Sequence, residues 1–204
     1  MSEPGWPRWT LLFALLVLGA GYICVFAFFL AYGRDFVVAL HNQRAREASI
    51  AAPIEVPKTV EFLAGSAGSA LLGSGWYTSE PVGTWSTTSD SWIALVLRTA
   101  DVDVEITLNG TVFVARHHSK IVITADVDEH QLGMWQRTFR NASEPLRFCI
   151  PAASARSRDL WLHLHVDTPA SPLEMRTGLD SRRLGLLLTS MAVKRGCELH
   201  ASGK

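Results

Sequence analysis

Charge is missing from one long stretch of this chain. Between Thr10 and Gly33 there are 24 consecutive residues without an acidic or basic side chain. Net charge is missing too, with 19 Lys and Arg against 19 Asp and Glu. That balance excludes a general nucleic-acid binder, which needs a basic surface to neutralise phosphates. Cysteine is scarce at three residues, and none lie in a CxxC spacing, so a thiol redox motif or a zinc ribbon is excluded. No Gly-rich phosphate loop and no ordered Ser, His and Asp set is present. Neither a cofactor nor a metal is expected. There is no internal repeat and, after the first fifty residues, no long amphipathic helical pattern.

The uncharged run has a direct physical meaning. A helix of that length is about 36 Å long at 1.5 Å per residue, enough for a hydrocarbon core of about 30 Å. Trp6, Trp9 and Tyr32 sit at its ends, where amphipathic rings prefer the headgroup level. A cleaved signal peptide is the rival reading, with Ala31-Tyr32-Gly33 as its small-residue site, but signal cores run about 7–15 residues. The sequence therefore predicts an uncleaved membrane helix over 10–48, with an extramembrane extension, after a short tail over 1–9. Ala20, Cys24, Ala27 and Ala31 recur on one face and would let another helix approach closely. Arg8 flanks the N-side and Arg34, Arg44 and Arg46 the C-side, a count that by itself mildly favours a cytoplasmic C-terminus.

Residues 49–58 read as a linker because Pro53 and Pro57 oppose helix and central-strand pairing. From 59 to 195 the periodicity becomes two. Val60–Leu63, Trp92–Leu97, Val102–Leu108, Ile121–Val127, Met134–Arg137, Leu146–Ile150, Leu160–Val166 and Leu184–Val193 are strand candidates. Asn109-Gly110 is a type I′ turn signal, with Thr111–Ala115 as the returning arm of a hairpin. Asn109-Gly110-Thr111 and Asn141-Ala142-Ser143 fit glycosylation triplets but read as turns. About nine short strands predict an all-β, antiparallel, jelly-roll-like β-sandwich, followed by a C-terminal tail over 196–204.

Two patches are more specific: Leu71-Leu72-Gly73-Ser74-Gly75-Trp76-Tyr77-Thr78-Ser79-Glu80-Pro81-Val82-Gly83-Thr84-Trp85-Ser86 and Asp180-Ser181-Arg182-Arg183-Leu184-Gly185-Leu186. Together they resemble a β-sandwich domain of bacterial envelope proteins, often fused to glycosyltransferase-like multi-spanning membrane proteins of surface-polysaccharide systems. Val82 departs from the aromatic residue usual there, and no multi-spanning part is present in this sequence. The resemblance implies a bacterial inner-membrane protein whose C-terminal domain lies in the periplasm, which outweighs the charge count. It also implies a membrane-embedded polysaccharide synthase or glycosyltransferase as partner.

Five tryptophans fall in the β region. Trp85 and Trp92 fit a core role, whereas Trp76, Tyr77 and Trp135 are equally suited to a glycan platform, since sugar rings stack on aromatic faces. Glu80, Asp180, Arg182 and Arg183 suit a carboxylate–guanidinium clamp joining the two patches. Their alternative is a glycosidase carboxylate pair, which arginines would spoil by keeping both groups ionised. His163 and His165 share one strand face and read as a solvent-facing pair; as a metal grip they would need a third ligand such as His117, His118 or His130. Asp101-Val102-Asp103 and Asp126-Val127-Asp128 read as polar strand edges. Cys149 and Cys197 either form one disulfide or remain two thiols. The expected function is a non-catalytic, single-pass accessory protein of envelope or extracellular polysaccharide assembly. A glycan-modifying hydrolase and a purely structural interaction module are the alternatives.

Overall fold

The computed structural model describes residues 8–98, 102–128, 130–157 and 160–197. Trp6, Asp101 and most of the two expected terminal tails lie outside them. The chain divides into two compact units, Met1–Leu40 and His41–Lys204.

The described part of the first unit is helical. Helix α1 runs Arg8–Ala51, and its part up to Leu40 lies in this unit. By length and composition it is able to cross a membrane. Its described apolar side chains from Trp9 to Val38 are exposed, as with Phe13, Leu18, Phe29 and Leu30 at about 70% each. Ala20, Cys24, Ala27 and Ala31 are exposed as well, and Cys24 is a free thiol.

The second unit begins within the same helix. Ala45 and Ser49 are buried, and Asn42 Oδ1 accepts the Ser74 N–H at 2.7 Å. The expected linker over 49–58 is therefore corrected. Helix continues to Ala51, and Ile54–Glu55 forms β1. Pro53 and Pro57 flank that strand without interrupting it, so the Ile54 N–H is free to donate to Val96 O at 2.7 Å. Ile54 and Val56 are buried.

The remaining strands are β2 (Lys58–Glu61), β3 (Thr84–Trp85), β4 (Asp90–Leu95), β5 (Leu97–Arg98) and β6 (Val104–Val112). They continue as β7 (Lys120–Val127), β8 (His130–Thr138), β9 (Leu146–Ile150), β10 (Leu160–Val166) and β11 (Leu186–Arg195). A four-residue helix, α2 (Ala152–Ala155), follows β9. One sheet has the order β4-β10-β7-β8, and the other β2-β11-β6-β9 with β3 also paired to β11. Both are antiparallel, while β1 pairs with β5 in parallel. This is an all-β sandwich carrying one long N-terminal apolar helix. Strict alternation builds its core: Leu160, Leu162, Leu164 and Val166 of β10 point inward, as do Ile121, Ile123, Ala125 and Val127 of β7. Each fully buried Leu or Ile contributes about 1.5–3 kcal/mol of transfer free energy.

The expected hairpin at Asn109-Gly110 does not form. β6 passes straight through both residues, and Thr111 and Val112 continue the same strand against β11. Glycine is needed there for close approach. A Cβ on Gly110 would lie 1.9 Å from Leu187 O, beside the irregularity between Leu188 and Ser190. A glycine inside a strand marks such contacts as well as turns.

Candidate functional site

The two motif patches meet because β3 pairs with β11. Trp85 lies opposite Leu187 and Thr84 opposite Leu188. The Ser86 hydroxyl accepts the Leu186 N–H at 2.9 Å, and the buried Thr84 hydroxyl donates to Phe62 O at 2.7 Å. Beside this seam Arg182 joins the two acids. Its Nη2 donates to Asp180 Oδ2 at 2.7 Å, its Nε bridges both Asp180 oxygens at 3.0 and 3.1 Å, and its Nη1 donates to Glu80 Oε1. The guanidinium carbon lies 5.2 Å from the centre of the Tyr77 ring, a cation–π distance. Arg183 takes no part: it is exposed, and its Nε lies 3.9 Å from Glu174 Oε2.

Hydrogen bonds from the Arg182 side chain, then its backbone N–H, hold the Asp180 carboxyl below the usual carboxylate range. Donating to Asp180 and then to Glu80 raises the Arg182 guanidinium above its own. A general acid needs its pKa raised, so this constellation has the chemistry of a clamp.

The aromatic residues singled out in the sequence are dispersed. Trp76 donates its indole N–H to Trp92 O at 2.9 Å and packs against the core. Tyr77 sits with Arg182, and Trp135 packs against Phe148 with ring centres 5.8 Å apart. Trp85 is half-buried in β3. No common platform joins Trp76, Tyr77 and Trp135.

A different cluster forms on the outer face of the four-stranded sheet. In β4 the inward residues Ser91, Ile93 and Leu95 are buried, which leaves Asp90 and Trp92 on the other side. In β10 Trp161, His163 and His165 alternate with buried leucines. Register sets Trp92 opposite His163 and Asp90 opposite His165, while Asp126 of β7 lies opposite His163 from the other neighbour. Trp92 and His163 stack, with ring centres 4.2 Å apart and planes 21° from parallel. Asp90 Oδ1 lies 2.9 Å from His163 Nε2 and 2.9 Å from His165 Nδ1, and Asp126 Oδ2 lies 3.5 Å from His163 Nδ1. The His165 bond holds Asp90 below the usual carboxylate range, opposed by partial burial and aided by His163. Asp90 and His165 keep about half of their side-chain surface exposed, 56% and 43%, so the network remains open to a ligand.

Trp92, assigned to the core from sequence, is thus the outer half of an aromatic ledge. The signal for His163 and His165 was visible as alternation. Their partners Asp90 and Asp126 were not, because pairing across three strands is not written in any one of them. His117 and His118 lie at the Ala115–His118 turn, and His130 accompanies Asp128 at the end of β7; among the described residues neither group joins His163 and His165 in a three-ligand cluster. Asp103 accepts the Ala152 N–H at 2.9 Å. Cys149 and Cys197 form a disulfide, with Cα atoms 5.9 Å apart.

No protein-family model matches the chain, and no curated protein matches it. Among solved structures it is similar to a family GH115 4-O-methyl-α-glucuronidase with specificity for decorated arabinogalactans. Identity there is 10% and the TM-score 0.40, over 69% of this chain but only 16% of the glucuronidase. It is also similar to the CBM36-1 domain of a multidomain xylanase from the hindgut metagenome of Trinervitermes trinervoides, at 10% identity and a TM-score of 0.39, covering 69% of this chain and 98% of that domain. A third is the xylan-binding module CBM15, at 10% identity and a TM-score of 0.33, over 69% of this chain and 99% of the module. These likenesses are distant, and none of them fixes a site or an activity here.

Proposed function

We propose that this chain is a single-pass, membrane-anchored, non-catalytic accessory protein of envelope or extracellular polysaccharide assembly, and that its sandwich binds glycan on the outer face of the four-stranded sheet. The observation that carries this reading is the Trp92–His163 stack rimmed by Asp90, His165 and Asp126. A sugar offers apolar C–H faces and a ring of hydroxyls. An aromatic ledge beside carboxylate acceptors and imidazoles meets both demands, as binding sites pair apolar surface with a few placed polar groups.

The helix α1 supplies the anchor, being long and apolar enough to cross a bilayer. The Cys149–Cys197 disulfide supports an oxidising compartment for the sandwich, hence a periplasmic C-terminal domain in a bacterial inner membrane. The resemblance in the two motif patches supports a membrane-embedded polysaccharide synthase or glycosyltransferase as neighbour. Clamping of Asp180 by Arg182 weighs against the hydrolase alternative.

The test is retention of the full-length protein, in detergent, on immobilised bacterial polysaccharides. Trp92→Ala is expected to weaken binding by about tenfold, or about 1.4 kcal/mol, and Arg183→Ala to leave it unchanged. Binding that is indifferent to both Trp92→Ala and His163→Ala would remove the glycan site from this face.

A further inference from the structure

The ledge at Trp92 is one end of a longer surface. Outward residues of the four-stranded sheet line up in two rows that run across the strands. In the first row Trp92 of β4 lies opposite His163 of β10, His163 opposite Asp126 of β7, and Asp126 opposite Gln131 of β8. In the second, Asp90 is followed by His165, Thr124 and Met134 in the same strand order. Alternation puts both rows on one side of the sheet. The strand neighbours Ile93, Leu164 and Ile123 are buried, while Trp135 of β8 packs inward on Phe148 and Arg137 is buried.

The length of the rows, their chemistry and their charge all bear on the ligand. Adjacent strands lie about 4.8 Å apart, close to the length of one sugar unit in an extended chain, so the rows run about 14 Å from β4 to β8. Beyond the histidines they offer the Thr124 hydroxyl and the Gln131 amide, which both donate and accept as sugar hydroxyls require. At the β8 end the Met134 side chain is 63% exposed, in line with Asp90, His165 and Thr124. Its flexible thioether chain adapts to an apolar surface laid against it, such as the C–H face of a sugar. Asp90 and Asp126 put carboxylates in both rows, whereas Lys120 stands at the opposite end of β7 from Asp126. A carboxylated sugar would meet like charge there.

We propose that the two rows form a track for a linear chain of uncharged sugars, lying across the strands with about three units between Trp92 and Met134, one per strand spacing. This inference rests on the glycan reading of the Trp92 ledge and adds the direction, length and charge of the ligand. One end of the chain seats at Trp92 and His163. Asp126 and Thr124 take hydroxyls of the middle unit, and Gln131 and Met134 hold the far unit.

The experiment reads full-length protein, in a detergent without a sugar headgroup, on an array of linear bacterial oligosaccharides. The array runs from disaccharides to hexasaccharides, with neutral and uronic-acid-containing members of each length. Affinity for neutral fragments is expected to rise more than tenfold from disaccharide to tetrasaccharide and then to level off. Met134→Ala should weaken the tetrasaccharide by about fivefold, from the loss of partial side-chain burial, and leave the disaccharide and the melting temperature unchanged. Trp92→Ala should weaken both lengths. Uronic-acid fragments should bind more than tenfold below neutral ones of equal length. Affinity that does not grow with length, a tetrasaccharide indifferent to Met134→Ala, or uronic-acid fragments that bind as well as neutral ones would overturn the track while leaving the Trp92 site in place. An array on which nothing binds, or binding indifferent to Trp92→Ala at every length, would remove the glycan reading and the track with it.

Discussion

Two polar constellations of this sandwich are built alike and left in opposite states. At the Arg182 clamp the guanidinium is shared between Asp180 and Glu80 and lies over Tyr77, so its donors and the aromatic face beneath it are engaged by the protein itself. On the outer face, Asp90 bridges two histidines yet keeps more than half of its side chain in solvent, and Trp92 and His163 offer a stacked ledge. The clamp ties distant segments of sequence together. The ledge is drawn from three neighbouring strands whose pairing is secured by the core beneath. Strong local motifs here mark construction, and the surface suited to a ligand is written in alternation.

The widest way to challenge this division is to weaken the whole scaffold. The disulfide closes a span of 48 residues, worth about 4 kcal/mol in the chain-entropy account. Cys149→Ala with Cys197→Ala should lower the melting temperature strongly, while the remaining folded fraction keeps its affinity for polysaccharide. Loss of affinity per folded molecule would tie the ledge to the disulfide.

Truncation sharpens the boundary between the units. Removing residues 1–40 should leave a soluble β protein, because the described part of that unit is helix and every strand lies in the other. Removing 1–50 should cost a further ~2 kcal/mol, since it takes away buried Ala45 and Ser49 and the Asn42 bond to Ser74. Equal melting temperatures for the two fragments would show that residues 41–50 contribute nothing to the fold.

A smaller effect separates adjacent arginines. Arg182→Ala should lower the melting temperature and leave glycan binding intact, whereas Arg183→Ala should be silent in both. If Arg183→Ala were the damaging change, the clamp would be misassigned.

The smallest expected effect is the response to acid. Asp180 and Asp90 both have folded-state pKa values below their unfolded ones. Their contribution is therefore present above the unfolded value of about 3.9 and is lost as pH falls through the folded value. Melting temperature followed from pH 6 downward should decline from about pH 4, and Asp180→Asn should flatten part of that decline.

Much of the fold was legible because alternation is strict where one face is buried. β9 and β10 begin and end where their patterns do. Asn109-Gly110 misled because the same dipeptide serves a turn or a close backbone approach, and only the position of β11 decides between them. The linker misled because proline blocks pairing only at its own nitrogen, which left Ile54 free to bond. Trp92 misled for another reason. The run Trp92-Ile93-Ala94-Leu95-Val96-Leu97 is apolar throughout, so its two faces carry no contrast. In the clamp, composition gave the pairing type, but the choice of Arg182 over its neighbour depends on backbone direction after Asp180.

The central claim is that the Trp92 ledge binds glycan while the Arg182 clamp only holds the fold. The most direct measurement is a pair of binding isotherms on one polysaccharide, for Trp92→Ala and Arg182→Ala, each with its melting curve. The account predicts a folded Trp92→Ala protein with affinity lowered about tenfold, and an Arg182→Ala protein of lower melting temperature with affinity unchanged. A Trp92→Ala protein that binds as the wild type does, beside an Arg182→Ala protein that is stable but no longer binds, would contradict it.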